Sequence, residues 1–290
     1  MAATTFRRAL PPLNYLKRYH LADAPFAPTA SPRYAYARSS HIQAVNAMRN
    51  VVIGRTALGI TSGGVGLGKT TIARMLAEDL RANDIPTVFL PAVPGGPRQS
   101  DASIMRTVID EFKLPRSRAN ATSSHYATIG NFARDNDDNG ATTVVIVDDA
   151  QELRAGGTRA ILQLIALQTS ETQLVQVVLF GQNPELLAQI TGNPALHSRL
   201  SAHVELTPFE EDEVAAMLAW RLRVAERIDP LFTADAIHAL TVTSRGIPRK
   251  ICRTAHNACI YAADRDSDWV EVADVERAAA ELLHSNDDAA

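Results

Sequence analysis

The chain has 290 residues, of which 46% are hydrophobic and 21% are charged, as in ordinary soluble globular proteins of one or two domains. Its net charge of −3 does not indicate a nucleic-acid-binding protein, although it leaves room for a local basic patch. No apolar run approaches the roughly 18 residues of a membrane-spanning helix, and the start lacks the apolar region of a signal peptide. Cys252 and Cys259 lie two helical turns apart, roughly 10 Å, which is too far for a disulfide. We therefore expect a cytoplasmic protein with reduced thiols.

Short apolar segments alternate with helical patterns after residue 55, which predicts an α/β fold with a doubly wound parallel sheet covered by helices. The predicted strands are Ala57–Thr61, Thr87–Leu90, Thr143–Val147, Val175–Phe180 and Ala202–Leu206, with helices at 71–82, 102–112, 124–134, 158–169 and 184–191. From Pro208 onward the patterns are helical only: Glu210–Arg227, a helix capped by Thr233, Ile247–Ala263 and Val272–His284. We predict an N-terminal segment (1–55), an α/β core (56–207), an all-helical domain (208–284) with Trp220 and Trp269 in its interior, and a flexible tail (285–290).

A phosphate-binding loop follows the first predicted strand. Residues 63–70 match the P-loop pattern G-x-x-x-x-G-K-[ST], and an apolar strand before it and a helical pattern after it argue against a chance glycine-rich turn. Lys69 is expected to reach the β- and γ-phosphates of ATP, and the Thr70 hydroxyl to ligate Mg²⁺. The predicted nucleotide-binding residues here are Gly63, Gly64, Val65, Gly66, Leu67, Gly68, Lys69, Thr70 and Thr71.

The third predicted strand ends in two carboxylates, Asp148 and Asp149. Asp148 fits the Walker B acid that holds Mg²⁺, and Asp149 lies where a general base would orient the attacking water. Such ATPases usually carry Glu at the second position, and a base withdrawn by one methylene costs on the order of 10²-fold in rate. We therefore expect weak basal hydrolysis. For Asp149 the alternative of a solvated strand end stays open.

Several motifs together resemble the AAA+ ATPases of the ExeA/GspA type. Residues 148–153 (Asp-Asp-Ala-Gln-Glu-Leu) resemble their D-E-A-Q-x-L signature, 177–186 their V-L-x-G-Q-P-E-L segment with Asn183 inserted, and 244–249 their S-R-G-I-P-R lid motif. Tyr19-His20-Leu21, Pro25-Phe26 and Tyr36 are similar to their opening segment. The resemblance extends over about residues 18–282, and TnsC, TniB and related transposition regulators share much of it. It implies a P-loop AAA+ domain with a C-terminal helical lid.

The resemblance implies further site residues. Gln182, at the end of the fourth strand, takes the sensor 1 position, where a polar side chain helps to place the water. Arg199 takes the arginine-finger position, which contacts the γ-phosphate bound by a neighbouring subunit. Arg249, in the lid motif, takes the sensor 2 position on the nucleotide phosphates. The alternatives are a strand-end amide for Gln182, a surface ion-pair arginine for Arg199 and a structural helix-start residue for Arg249.

Two basic stretches are candidates for contact with DNA. Arg7, Arg8, Lys17 and Arg18 precede the first acidic residue, and Arg98, Arg106, Lys113, Arg116 and Arg118 outnumber the acids after the second strand. Either stretch could contact DNA phosphates, although each alone is more typical of a solvated surface. The histidines show no metal-ligand spacing, so Mg²⁺ with ATP is the expected metal.

Three uses of such a chain remain open. The first is a DNA-associated switch of the transposition type, in which ATP-bound subunits assemble as a homo-oligomer, a ring or a helical filament, on duplex DNA and recruit a protein partner. The second is an ExeA-type secretion or envelope-assembly ATPase, and the third is an ATP-binding module with little turnover. ExeA-type proteins usually continue into a membrane span and a peptidoglycan-binding domain, which this sequence does not contain. On that ground we expect the DNA-associated use.

Overall fold

The computed structural model describes residues 14–27, 32–91, 99–115 and 122–287. The chain divides into two compact units. The core unit is Ala37–Thr207, and the helical unit combines Met1–Tyr36 with Pro208–Ala290. The predicted N-terminal segment 1–55 is therefore divided after Tyr36: its first part belongs to the helical unit and its second part to the core unit.

The core unit is built on a five-stranded parallel sheet. Its strands are β1 (Leu58–Gly63), β2 (Thr87–Leu90), β3 (Thr143–Val147), β4 (Val175–Gln182) and β5 (Leu200–Leu206), in the spatial order β2-β3-β4-β1-β5. Every pairing in this sheet is parallel. β1, β3 and nearly all of β4 are buried, as their continuous apolar runs predict, whereas β5 at the edge alternates between partly buried and exposed residues.

Helices connect the strands of the core unit and make up most of the helical unit. They are α1 (Asn14–Arg18), α2 (Ser39–Ile53), α3 (Lys69–Ala82), α4 (Asp101–Glu111), α5 (Thr122–Asp138), α6 (Ala155–Leu164), α7 (Glu185–Thr191), α8 (Pro194–His197), α9 (Glu211–Val224), α10 (Ala234–Ser244), α11 (Pro248–Asp264) and α12 (Val272–Asp287). Short 3₁₀ turns lie at Pro32–Tyr34 and Ala150–Glu152. Side chains cap the amino ends of two helices. Ser100 and Ser103 form a reciprocal capping box on α4, and the Thr233 hydroxyl caps α10, as expected.

The sequence-based elements agree with the structure for the sheet and for most helices. All five predicted strands are confirmed, and β1 and β4 each continue two residues beyond the predicted end. The predicted helix 158–169 instead occupies Ala155–Leu164, because the chain turns after Ile165 toward β4. The α2 helix was not predicted. Its buried face includes His41 and Ala44, which weakens the apolar period of the sequence.

The helical unit has its own hydrophobic core. Tyr15, Tyr19 and Phe26, all at most 2% exposed, pack with the inward faces of α9 to α12. Cys252 and Cys259 are buried free thiols in this core. The prediction for the two tryptophans is wrong, since Trp220 is 39% exposed and Trp269 is 46% exposed. Trp220 lies on an outward-facing side of α9, and Trp269 lies in the bend between α11 and α12 rather than on a helix.

No helix within the described residues is long and apolar enough to span a membrane.

Candidate functional site

The carboxyl ends of the parallel strands lie on one side of the sheet, and predicted site residues lie at the carboxyl ends of β1, β3 and β4. β4 lies between β1 and β3, so the loop after β1 and the carboxylates after β3 flank the end of β4. Gly63 is paired with Gln182, and Val147 with Leu179. Because the carboxyl ends of parallel strands share one edge, the structure brings together the P-loop, Asp148 and Gln182. This is the edge at which open α/β sheets bind ligands.

The P-loop has the backbone form that phosphate binding requires. Gly66 and Gly68 have φ angles of 82° and 97°, in the left-handed region that favours glycine. A Cβ added to Gly68 would also lie 3.4 Å from Cε1 of His41. Gly68 caps α3, whose first N–H groups have no partner within the helix and carry its positive dipole end. The loop and helix start therefore form an anion-binding cradle.

Lys69 lies over this cradle. The residue is only 7% exposed, and its Nζ donates hydrogen bonds to the carbonyl oxygens of Gly63 at 3.0 Å and Gly64 at 2.8 Å. The ammonium is thus held beside the loop, with a positive charge where phosphate oxygens would enter. Thr70 and Thr71 follow in the first turn of α3, and their contacts with phosphate or metal stay a prediction.

Asp148 is a buried carboxylate beside the P-loop helix. It is 1% exposed, and burial raises its pKa, while the nearby Thr70 side chain and Asp149 backbone N–H lower it. Neither of its carboxylate oxygens has a hydrogen-bond partner among the described residues. A buried carboxylate in this condition is costly unless a cation is bound to it. The Thr70 hydroxyl and Asp148 are hard oxygen ligands, so they fit Mg²⁺.

Asp149 has a backbone conformation that is unusual for a residue other than glycine. Its φ and ψ are 50° and 39°, and it starts the 3₁₀ turn at Ala150–Glu152. One oxygen of its carboxylate, Oδ1, accepts a hydrogen bond from Nε2 of Gln151 at 3.3 Å. The same Gln151 amide accepts, through Oε1, the backbone N–H of Gln182 at 2.9 Å. The two predicted catalytic positions, Asp149 and Gln182, are therefore joined through one side chain.

Arg199 lies at the amino ends of the strands, whereas the P-loop lies at their carboxyl ends. It directly precedes β5, where Leu200 is paired with Leu58 at the beginning of β1, while Gly63 is paired with Leu206. Five residue steps along β1 separate these two levels, about 17 Å at 3.3 Å per residue. The Arg199 side chain is exposed, and its Nη1 donates to the carbonyl of Ala195 at 3.2 Å. The structure does not bring Arg199 to the P-loop of its own core unit.

Arg249 belongs to the helical unit. It is exposed in the first turn of α11, directly after Pro248, as the motif predicts for a helix start. Its role toward the nucleotide stays a prediction.

Two residues near the site had no predicted role. His41, on α2, is buried with its ring against Gly68 of the P-loop, and nothing in the spacing of the motifs indicates it. Gln151 belongs to a motif that the sequence made visible, but its contacts with Asp149 and Gln182 depend on a side-chain conformation that the sequence does not encode locally.

The basic stretches receive little support from the structure. Arg7, Arg8, Arg98, Arg116 and Arg118 lie outside the described residues, whereas Lys17, Arg106 and Lys113 are described and exposed. Arg18 is engaged inside the helical unit: Nε donates to the Ser267 carbonyl at 2.8 Å, and the guanidinium pairs with Asp266 at 2.9 Å and Asp268 at 3.2 Å. Its charge is therefore largely compensated by its own unit.

A family model and a curated protein both match this sequence, and both agree with the resemblance to AAA+ ATPases of the ExeA/GspA type. The family model described as an AAA domain matches residues 54–190. Over 277 residues, 94% of this chain, the sequence is 31% identical to the General secretion pathway protein A of Aeromonas hydrophila. The match covers 49% of that protein, so this chain spans about half the length of its curated relative.

Solved structures with the same fold share little sequence with it. The Cdc6p protein of Pyrobaculum aerophilum superimposes with a TM-score of 0.67 at 15% identity, over 86% of this chain and 70% of that one. The ORC2 protein of Aeropyrum pernix, in its ADPNP–ADP complexes, gives 0.64 at 14% identity, over 84% and 67%. A RuvB protein of Thermotoga maritima gives 0.54 at 18% identity, over 82% and 66%. At these identities the likeness concerns the fold alone.

Proposed function

Because this chain belongs to the AAA+ ATPases and is of the ExeA type, we propose that it binds ATP with Mg²⁺, hydrolyses it, and uses nucleotide-dependent self-assembly as a switch. The observation that carries the proposal is the meeting of the P-loop with a buried carboxylate. Asp148 lies near the Thr70 side chain, and both of its carboxylate oxygens lack a hydrogen-bond partner among the described residues, next to the helix that Lys69 begins.

Nucleotide binding is assigned to the P-loop and to the start of α3. The backbone N–H groups of residues 64–71 are proposed to bind the phosphate oxygens, with Lys69 adding a charge-assisted contact. Thr70 and Asp148 are the residues that would hold Mg²⁺. When bound, the metal neutralises phosphate charge and orients the phosphate chain. Arg249 remains our proposed contact from the lid motif.

Hydrolysis is assigned to the turn that follows β3. Asp149 is proposed to accept the proton of the attacking water, and Gln182 to help position that water. The short aspartate and the need for a neighbour's Arg199 both predict low turnover by a dispersed subunit. The separation of about 17 Å between the levels of Arg199 and the P-loop supports a role for Arg199 on a neighbouring subunit's nucleotide rather than on its own.

The test is a steady-state measurement of phosphate release with Mg-ATP, combined with light scattering to determine assembly size. We expect ATP to promote assembly, and Asp149→Asn to lower turnover at least tenfold while fluorescent ATP-analogue affinity stays within twofold. A wild-type rate for Asp149→Asn would remove the base assignment. An absence of turnover in every assembly state would favour the binding-module alternative instead.

For the pathway, the secretion or envelope-assembly use now ranks ahead of the expected DNA-associated use. It is supported by the 31% identity to a protein named for the general secretion pathway. The expectation of a transposition-type regulator rested partly on segments not found in this sequence. That argument has no force for a chain that spans about half of its relative.

The DNA-associated use is kept as the second candidate, because an ORC1 protein of Aeropyrum pernix with this fold is seen in complex with DNA at a TM-score of 0.60. Fluorescence anisotropy of a labelled duplex, with ATP or ADP at several salt concentrations, separates the two uses. A DNA switch binds only with ATP and loses affinity steeply with salt. No binding with ATP at low salt would remove this candidate.

A further inference from the structure

A single side-chain amide joins the two polar strand ends of the proposed catalytic site. Gln151 lies in the 3₁₀ turn after β3, and both ends of its amide are engaged. Nε2 donates to Oδ1 of Asp149 at 3.3 Å, and Oε1 accepts the backbone N–H of Gln182 at 2.9 Å. The amide orientation is therefore fixed, since the accepting end must face the N–H of β4 and the donating end must face the carboxylate.

The surroundings of Gln151 leave it little freedom. A Cβ on Gly181 would lie 2.9 Å from Oε1 of Gln151 and 3.1 Å from its backbone nitrogen, so this turn packs against β4 so closely that a side chain at position 181 would force it to shift. On the other side, the Gln151 carbonyl accepts a hydrogen bond from Nε2 of Gln189 on α7 at 2.7 Å. The amide of Gln151 is thus held by β4, whereas α7 contacts only its backbone carbonyl.

We infer that Gln151 is a positioning residue that sets where the Asp149 carboxylate stands relative to the end of β4. The inference rests on the proposed role of Asp149 in hydrolysis. A short aspartate in a left-handed turn has few atoms with which to fix its own direction, and the Gln151 amide supplies a donor at one of its two oxygens. The other oxygen, Oδ2, is then directed away from that donor and is the one assigned to the water.

Two substitutions of Gln151 remove different contacts of its amide. Gln151→Glu keeps an acceptor for the Gln182 N–H but replaces the donor to Asp149 by a like charge. Gln151→Ala removes both contacts. If the role of Gln151 is to position Asp149, both variants lower kcat by about tenfold to a hundredfold, the scale associated with a misplaced catalytic group. KM and the affinity for a fluorescent ATP analogue stay within twofold, because the P-loop is untouched.

The matched control is Gln189→Ala, which removes the hydrogen bond from α7 to the Gln151 carbonyl but leaves the Gln151 amide and its contacts with Asp149 and Gln182 in place. It should keep kcat within twofold of wild type. A double-mutant cycle adds a second control: Gln151→Ala introduced into Asp149→Asn should cause no further loss, because the group it positions is already disabled. Melting temperatures of all variants verify that each is folded.

Three results would overturn the inference. They are a wild-type kcat for Gln151→Glu, an equal loss in Gln189→Ala, or a full additional loss in the double mutant, which would make Gln151 merely a support of the turn. Failure of the proposed function has a different signature, because then Asp149→Asn itself keeps the wild-type rate or the wild type shows no turnover in any assembly state.

Discussion

From the position of Arg199 we predict that it acts on the nucleotide bound by a neighbouring subunit, not on the one bound by its own subunit. Arg199 directly precedes β5, and the register of β5 on β1 places the beginning of β5 five residue steps of β1, about 17 Å, from the level of the P-loop. An extended arginine side chain spans roughly 7 Å at about 1.5 Å per bond. We therefore expect Arg199→Ala to abolish assembly-stimulated hydrolysis without lowering the affinity of a subunit for ATP.

Mixing two inactive variants gives this prediction a magnitude. Arg199→Ala subunits keep Asp149, and Asp149→Asn subunits keep Arg199. In an equimolar, randomly mixed homo-oligomer with head-to-tail interfaces, about a quarter of the interfaces place an intact Arg199 opposite an intact Asp149. The mixture should therefore recover about a quarter of the wild-type rate, whereas a role in cis predicts no recovery, because neither subunit carries both residues.

The assay is phosphate release at a protein concentration at which light scattering shows full assembly. Arg134→Ala is the matched control: Arg134 is an exposed arginine on α5 of the same unit, and its Nη1 donates a hydrogen bond to Oδ1 of nearby Asn131 at 3.1 Å. It should hydrolyse ATP like the wild type. Mixed assemblies that contain both inactive variants in equal amounts and stay inactive would refute the role in trans.

Three other changes have defined outcomes. Lys69→Ala should weaken Mg-ATP binding roughly 10- to 100-fold in calorimetric titration, because it removes a charge-assisted phosphate contact, while the melting temperature stays near wild type. Gly181→Ala places a Cβ 2.8 Å from Cδ2 of Leu186 and 2.9 Å from Oε1 of Gln151; it should cost about 1–3 kcal/mol in chemical denaturation and reduce kcat. Arg18→Ala should lower the melting temperature and leave affinity for a DNA duplex unchanged, since Arg18 is paired with Asp266 and Asp268. A large loss of DNA affinity in that variant would restore the N-terminal stretch as a contact.

The sheet and the P-loop could be predicted because their signals are local. Buried parallel strands are continuous apolar runs, and the glycines, Lys69 and Thr70 stand in fixed order within eight residues. The division of the N-terminal segment could not be predicted in this way. Tyr15 and Tyr19 pack in the helical unit through contacts with residues more than 200 positions away, as between Tyr15 and His256.

The contacts within the proposed catalytic turn after β3 could not be predicted from the sequence either. The sequence placed Asp149 and Gln182 at the ends of two strands that the fold makes neighbours. It did not indicate that Gln151 connects them, because the hydrogen bond to Gln182 joins residues 31 positions apart and depends on the close packing of Gly181. A motif gives the residue types at a site, whereas their mutual orientation is a property of the packed fold.

Two features of the proposed site, the short side chain of Asp149 and the distance of Arg199 from its own P-loop, both predict low turnover by a dispersed subunit. Asp149 is short and is restrained by Gln151, which favours one orientation of its carboxylate but cannot supply the missing methylene. Arg199 lies too far from its own P-loop to stabilise the charge that develops during hydrolysis. If the proposed roles hold, a dispersed subunit lacks reach at the base and positive charge at the phosphate, and assembly would supply that charge. Gln151 would then set how well each subunit is prepared for hydrolysis, and the neighbour's arginine would set when hydrolysis proceeds.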